Sequence, residues 1–392
     1  MILAKENIFS IIEKFSWSEK RRPQGNLVWI NAVSVGEAKT GLIIAKKIKK
    51  NNPNMVILLS TSTLTSYNLL SKNKENNFLL IFSPLDINFV VKRFIKKWKP
   101  NLTIFVESEI WPNIFFTLNK NKIKLKLFNA RISEKSFFKW SKIISVARQV
   151  FLFIDECFVQ DYKSLDRFKR LGVKKVRKIQ NLKFLSDKLN VNEKKFTTLR
   201  NHLKKKKVIT LFSSHQDEER ILIECQKYLS ERIQNLFFVI IPRHIARVNL
   251  IEEELKKNLV RFTSNNKSFK NIKKNDFLIV NTMGELGLYF KLSDISIIGG
   301  SFSDFGGHNP IETNGFKCSL VFGPYMQNFD EIKTKIIQNN AGFQVKNSQH
   351  LKLTLEKLII NKKLNIKTFK NFEKLCDTEI RKSQSSLNEL LK

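Results

Sequence analysis

Apolar residues along the 392-residue chain cluster in short, nearly continuous runs, and longer stretches of helical period lie between them. Runs rich in Val, Ile, Leu and Phe occupy 27–33, 55–59, 78–82, 102–106, 123–128 and 157–159. Helical patterns fall at 37–48, 67–70, 89–97 and in the first part of 133–154. Strands without polar alternation, each followed by an amphipathic stretch, predict a parallel sheet covered by helices on both faces. A segment at 176–182 follows, and then a charged stretch. The same alternation resumes with runs at 208–212, 237–241, 277–280, 295–298 and 320–322. The end of the chain, 366–391, is long, charged and helical in pattern.

The expected fold class is therefore α/β, with two Rossmann-like domains of similar size. Residues 1–186 form the first, 187–206 a charged connection, and 207–392 the second, with a C-terminal helix. The length fits two domains. Parallel sheets bind ligands outside the carboxyl ends of their strands, at switch points. Two such domains facing each other would place a site in the cleft between them. The residues that follow each strand are thus the ones to read.

Composition changes this picture in one respect. Lys and Arg number 70 against 35 Asp and Glu, a net charge of +35. That field favours anionic partners: nucleic acid, an anionic membrane surface or a phosphorylated substrate. The lysines are spread along the whole chain and are not interleaved with aromatics as in a single-strand binding platform, so nucleic acid is not expected as a partner. Four isolated cysteines, with no CxxC pair, argue against a disulfide framework and a zinc site. No run reaches the ~18–20 uncharged apolar residues of a membrane span. Near the start, Ile8, Ile11, Ile12 and Phe15 recur at helical spacing ahead of Lys20, Arg21 and Arg22. This reads either as a membrane-surface helix or as a helix packed on the protein's own core.

Candidate chemistry sits after the strands. Gly36 lets the backbone turn tightly after the first, and Glu37 follows in the first helical turn, close to Lys39. Glu37 is either a carboxylate favoured by the helix dipole or a general base. After 102–106 come Glu107 and Glu109, then Trp111, Pro112 and Asn113, an arrangement suited to acceptor binding or proton handling. Arg131, after 123–128, is placed to grip a phosphate or carboxylate. In the second half, Ser214 and His215 follow one strand, and Pro242, Arg243 and His244 another, where backbone N–H groups and a guanidinium favour an anion. Met283, Gly284, Glu285 and Leu286 follow a third, with Asn281 or Thr282 as cap. After 295–298, Gly299 and Gly300 precede Gly306, Gly307, His308, Asn309, Pro310 and Glu312. Asn309 as N-cap and Pro310 at the first position predict a helix whose start cradles a nucleotide phosphate, with Glu312 accepting from ribose hydroxyls. GxGxxG and GxxxxGK[ST] are both missing, which argues against a dehydrogenase or an NTPase. So are HExxH and GxSxG.

Taken in order, the stretches NAVSVGEAKTG, FVESEIWPN, NARISEKS, NLKF, SSHQDEE, IPRH, NTMGELG, IIGGSFSDFGGHNPIE and FGPYMQNFDEI resemble the bacterial 3-deoxy-D-manno-octulosonic acid (Kdo) transferases. They cover about 27–332, and GGHNPIE and ESEIWPN are the most specific. The resemblance implies a GT-B fold and an inverting transfer of Kdo from CMP-Kdo to the lipid A precursor in lipopolysaccharide synthesis. It implies Glu37 as base, a further functional glutamate at Glu107 or Glu109, and an acceptor side including Gly36, Lys39, Trp111, Asn113 and Arg131. CMP would be held by the IPRH, MGEL and GGHNPIE segments, with Ser214 and His215 beside them. No cofactor or metal is implied, and the expected place is the cytoplasmic face of the inner membrane, bound peripherally. Two departures stand out: Gln180 replaces the family's usual glycine before NLKF, and the sequence starts close to the first strand where many members begin with a longer apolar anchor, so either attachment is expected to be peripheral or the start is abbreviated. The alternatives are another GT-B transferase or an epimerase using a different nucleotide sugar.

Overall fold

A computed structural model describes residues 8–72, 78–264, 272 and 276–391. The chain divides into two compact units. One holds 1–186 together with the last residues, 379–392, and the other holds 187–378.

The first unit is a seven-stranded parallel sheet. Its strands are β1 (Leu27–Asn31), β2 (Val56–Thr61), β3 (Leu79–Phe82), β4 (Leu102–Val106), β5 (Lys124–Ala130), β6 (Glu156–Val159) and β7 (Val176–Lys178). Their spatial order is β3-β2-β1-β4-β5-β6-β7. Side chains alternate across the sheet, and both faces are apolar. Leu27 and Trp29 of β1 enter a core with Phe94, Phe115, Phe151 and Phe168 from the helices of one face. Val28 and Ile30 enter the opposite core with Ala38, Leu42, Ala45 and Leu70. This double coverage is why β1 has no exposed position. The strand order reverses between β1 and β4, so the segments after these two strands flank the switch point.

The second unit repeats the plan. It contains β8 (Lys207–Ser214), β9 (Leu236–Pro242), β10 (Phe262–Ser264), β11 (Phe277–Ile279), β12 (Ile295–Ile298), β13 (Ser319–Phe322) and β14 (Phe343–Gln344). The order is β10-β11-β9-β8-β12-β13-β14, all parallel, with the switch point between β8 and β12. β10 and β14 lie at the sheet's edges and are only 3 and 2 residues long, too short to stand out as apolar runs.

Three local outcomes differ from the sequence pattern. The charged stretch 187–206 contains a helix, Glu193–His202, capped by Asn192 and tied to the second unit through the Lys291–Glu193 ion pair (2.7 Å). The C-terminal helix, Lys362–Leu390, begins in the second unit and ends on the first, where Leu387 joins the apolar core and Ser383 donates to the Asn181 carbonyl. The short helix Ile8–Lys14 buries Ser10 and Glu13 and leaves Ile8, Ile11 and Ile12 exposed. Its buried anchor is polar: a Glu13 carboxylate oxygen accepts from the Phe82 N–H (2.9 Å) and the other from Lys20 (3.2 Å). Among the described residues no helix is long and apolar enough to cross a membrane.

Candidate active site

In the first unit the switch point gathers three carboxylates and a lysine. Ser34 caps the helix Val35–Asn51, and Glu37 closes a capping box. Glu37 Oε2 accepts from the N–H groups of Val33 (2.7 Å) and Ser34 (3.1 Å). The side chain is 7% exposed. Burial first, and then the charges of Glu107 and Glu109, push its pKa up to about 7, against the pull of the two N–H groups. Glu37 thus caps its helix while its proton affinity is raised to near-neutral pH.

Glu107 leaves β4 in the left-handed region (φ 62°), which turns its side chain out of the strand's regular alternation. Lys183 grips its carboxylate at 2.9 and 3.0 Å, with both groups mostly shielded from water. Lys183 stands in the short 3₁₀ turn Leu182–Leu185, whose entry is fixed by Asn129 and Asn181. Gln180 does not have a positive φ, so the backbone here makes no demand for glycine. Glu109 accepts from the Trp111 indole N–H (2.5 Å), and Trp111 packs edge-on against Phe105. Asn113 is exposed and engaged with Asp86, which caps the helix Pro112–Lys120 through the Ile114 N–H (2.8 Å). Arg131 is half-buried, and its N–H reaches the Glu107 carbonyl at 3.4 Å. Gly36 is exposed and Lys39 half-buried on the Glu37 helix. Beside Trp111 lies a depression of about 340 Å³ lined by Lys14, Ser62, Ser83, Leu85, Asp86 and Ile110.

In the second unit three histidines converge after β8, β9 and β12. The Nε2 atoms of His215 and His308 are 2.8 Å apart, with the rings nearly coplanar in orientation (6°). Phe305 stacks on His215 at 3.9 Å, and His244 meets it edge-on. Burial, then His215, Arg243 and His244, lower the His308 pKa to about 4. The His215 pKa is also lowered, by burial and then by His244, Arg247 and Arg243. Both rings are thus neutral at pH 7, able to share one proton between them. Arg243 and His244 are exposed, and the Arg243 N–H is tied to the Ser214 carbonyl (3.0 Å). Ser214 ends β8 in register with Pro242 of β9.

The glycine-rich segment differs from its sequence reading. After Asn309, which caps through the Ile311 N–H, the chain makes only a 3₁₀ turn, Pro310–Thr313, and Asn314 is already extended. Glu312 is half-buried in that turn. The N–H groups of Gly299 and Gly307 are bonded to the carbonyls of Phe212 and Gly300. Those of Gly300, Ser301 and Phe302 go to Glu218. Both glycine pairs are packing devices: a Cβ on Gly299 would lie 2.3 Å from the Ser213 carbonyl, and one on Gly307 2.2 Å from the Met326 sulfur. Met283 and Gly284 are exposed, and Glu285, before Leu286 at the start of the helix Leu286–Leu292, is held by Lys195 and Thr282.

Sequence reasoning passed over Lys183, Glu218, Glu219, Arg247 and Asp86. The first three lie inside the NLKF and SSHQDEE stretches, which was the available signal.

The geometry has clear relatives. A sequence profile described as "3-Deoxy-D-manno-octulosonic-acid transferase (kdotransferase)" matches residues 10–186. The 3-deoxy-D-manno-octulosonic acid transferase of Rickettsia bellii is 32% identical over 393 residues, spanning 100% of this chain and 93% of that one. That of Haemophilus influenzae is 30% identical, over 82% of this chain and 76% of its own. Among solved structures, a glycosyltransferase from Rickettsia africae matches 94% of this chain and all of its own (TM-score 0.64, 15% identity). HepE of Anabaena in complex with UDP-glucose matches 93% of this chain and 99% of its own (TM-score 0.64, 12% identity). These two carry the fold, which is of the GT-B type. Identity of 32% over the whole of this chain and 93% of its Rickettsia bellii relative settles the family: the chain belongs to the Kdo transferases, enzymes of glycosyl transfer.

Proposed function

We propose that this chain transfers Kdo from CMP-Kdo to a hydroxyl of the lipid A precursor, with inversion and with Glu37 as general base. The observation that carries this reading is Glu37 itself, buried yet poised near pH 7. A sugar hydroxyl becomes a competent nucleophile only as its proton leaves. The acceptor oxygen attacks the anomeric carbon and its proton passes to Glu37. The carbon–oxygen bond to CMP breaks, and its electron pair stays on the phosphate oxygen. Oε2 of Glu37 is anchored by two backbone N–H groups, so the carboxylate is held in place for this work. The Glu107–Lys183 pair, Glu109, Trp111 and Arg131 form the surrounding acceptor side, with Gly36, Lys39 and Asn113 at its rim.

On the donor side, Arg243, His215 and His308 are suited to the phosphate, and the Arg243 charge with the N–H groups of the neutral imidazoles would stabilise it as it leaves. Ser214, Pro242, His244, Met283, Gly284, Glu285, Leu286, Gly307, Asn309 and Glu312 complete the proposed nucleotide pocket. Competition binding tests the donor class: CMP is expected to bind and to be displaced by CMP-Kdo. Preference for UDP or a UDP-sugar would move the reading to another GT-B transferase or an epimerase.

A peripheral seat on an anionic membrane is part of the proposal. Net charge is +35, and Ile8, Phe9, Ile11, Ile12, Trp17, Ile87 and Phe89 are exposed; the Ser16 hydroxyl donates to the Val90 carbonyl, and Arg93 lies over Trp17. Basic charge with apolar side chains gives two separable contributions to binding. Flotation with anionic vesicles is expected to weaken with salt but to keep a salt-resistant fraction. Trp17→Ser with Phe89→Ser should remove that fraction. Equal binding to neutral and anionic vesicles would contradict this picture.

A further inference from the structure

One carboxylate joins the two loops of the donor half. Glu218 opens the helix Glu218–Ser230 and is 2% exposed. Its Oε2 accepts from the N–H groups of His215 (2.9 Å) and Gly300 (2.8 Å). Its Oε1 accepts from those of Ser301 (3.0 Å) and Phe302 (3.1 Å). Successive N–H groups aimed at one point form a concavity that anions occupy. Here the occupant is the protein's own side chain. Burial raises the Glu218 pKa, and the backbone donors oppose that rise. The same loop carries Gly300 (φ 65°), where a Cβ would press on the rings of His308 (3.2 Å) and His215 (3.3 Å). Gly300 in turn accepts from Gly307, and Ser301 accepts from the Gly323 N–H and, through its carbonyl, from Tyr325.

We infer that Glu218 is a positioning residue of the donor half: it fills the concavity of the glycine-rich loop, sets His215 against His308 and Phe305, and leaves the donor phosphate to those imidazoles and Arg243. The phosphate part of this inference rests on the donor reading given above. The positioning part rests on the hydrogen bonds alone. A carboxylate that bonds both loops fixes their separation, and a hydrogen-bonded imidazole pair tolerates little change in that separation.

The test uses the full chain with CMP as probe, and compares Glu218→Gln and Glu218→Ala with the wild type. Glu218→Gln keeps the shape but turns an amide toward backbone N–H groups. It is expected to bind CMP about tenfold or more weakly, because buried donors lose their acceptor. In Glu218→Ala, formate can enter the vacated concavity and should restore much of the affinity, whereas neutral formamide should not. Imidazole nitrogen resonances of His215 and His308 should shift in Glu218→Gln without CMP present. Unchanged CMP affinity in Glu218→Gln, or no formate effect in a folded Glu218→Ala, overturns the phosphate part. Unchanged imidazole resonances overturn the positioning part. A wild-type chain that binds no CMP would defeat the donor reading and the phosphate part together, while the resonances still decide the positioning part.

Discussion

Glu37→Gln is expected to lower the transfer rate roughly 10²–10⁴-fold, the range over which a positioned base contributes. The glutamine carbonyl can still accept from Val33 and Ser34, so the capping box survives in part and the helix start is preserved. What is lost is proton affinity. Wild-type kcat/KM should therefore fall on the acid side with a midpoint near 7, the value to which burial and the neighbouring glutamates raise Glu37. Glu109→Gln should move that midpoint downward, because it removes one of the charges holding it up. Stability moves the other way. The folded-state pKa is above the ordinary value of 4.5, so the native state holds the proton that the unfolded chain releases. That contribution is fully present below pH 4.5 and is lost as pH rises through about 7. Above that pH an ionised Glu37 costs the native state roughly 3 kcal/mol. Glu37→Gln removes this cost, so hydrogen-exchange protection of the β1 and β4 amides should match the wild type near pH 4.5 and equal or exceed it at pH 8. Lower protection at pH 8 would show that the two backbone hydrogen bonds outweigh the buried charge.

Arg247→Met is the substitution with the largest expected effect on stability. Arg247 makes two parallel bonds to Glu219, at 2.8 and 3.0 Å, and Glu219 also accepts from the Ser214 hydroxyl (2.7 Å). The Glu219 side chain is 5% exposed, so loss of the guanidinium strands a buried charge. Breaking such a pair costs about 3–5 kcal/mol. Adding Glu219→Gln should recover most of it, because the uncompensated charge is then gone. Hydrogen exchange at the amides of β8 and β9 reads the loss within the second unit, where a single melting curve for a two-unit chain would blur it. Equal exchange in Arg247→Met and wild type would mean that the pair contributes nothing net.

The fold was legible because each strand buried on both faces leaves an apolar run, as at 27–31 and 236–242, and each crossover leaves a helical period. The edge strands Phe262–Ser264 and Phe343–Gln344 left no such mark. Glu37 was legible because it falls in the first helical turn directly after a strand; the capping box it forms with Ser34 became visible only in the structure. Lys183 was not, because its partner Glu107 is 76 residues away and the two meet only through the order of β4, β5, β6 and β7. The same holds for Glu218, which meets Gly300 across the β8–β12 neighbourhood. The paired glycines also have a packing cause that the pattern did not show. They permit one backbone to pass close to another, and the anion beside them is Glu218.

Transfer itself is read by incubating the purified chain with freshly generated CMP-Kdo and a tetraacylated lipid A precursor and weighing the lipid by mass spectrometry. The lipid is expected to gain the mass of at least one Kdo unit, and Glu37→Gln, run alongside, to form product at a rate lower by orders of magnitude. An unchanged lipid mass beside an active control enzyme would contradict the proposed reaction, and full turnover by Glu37→Gln would contradict the proposed base.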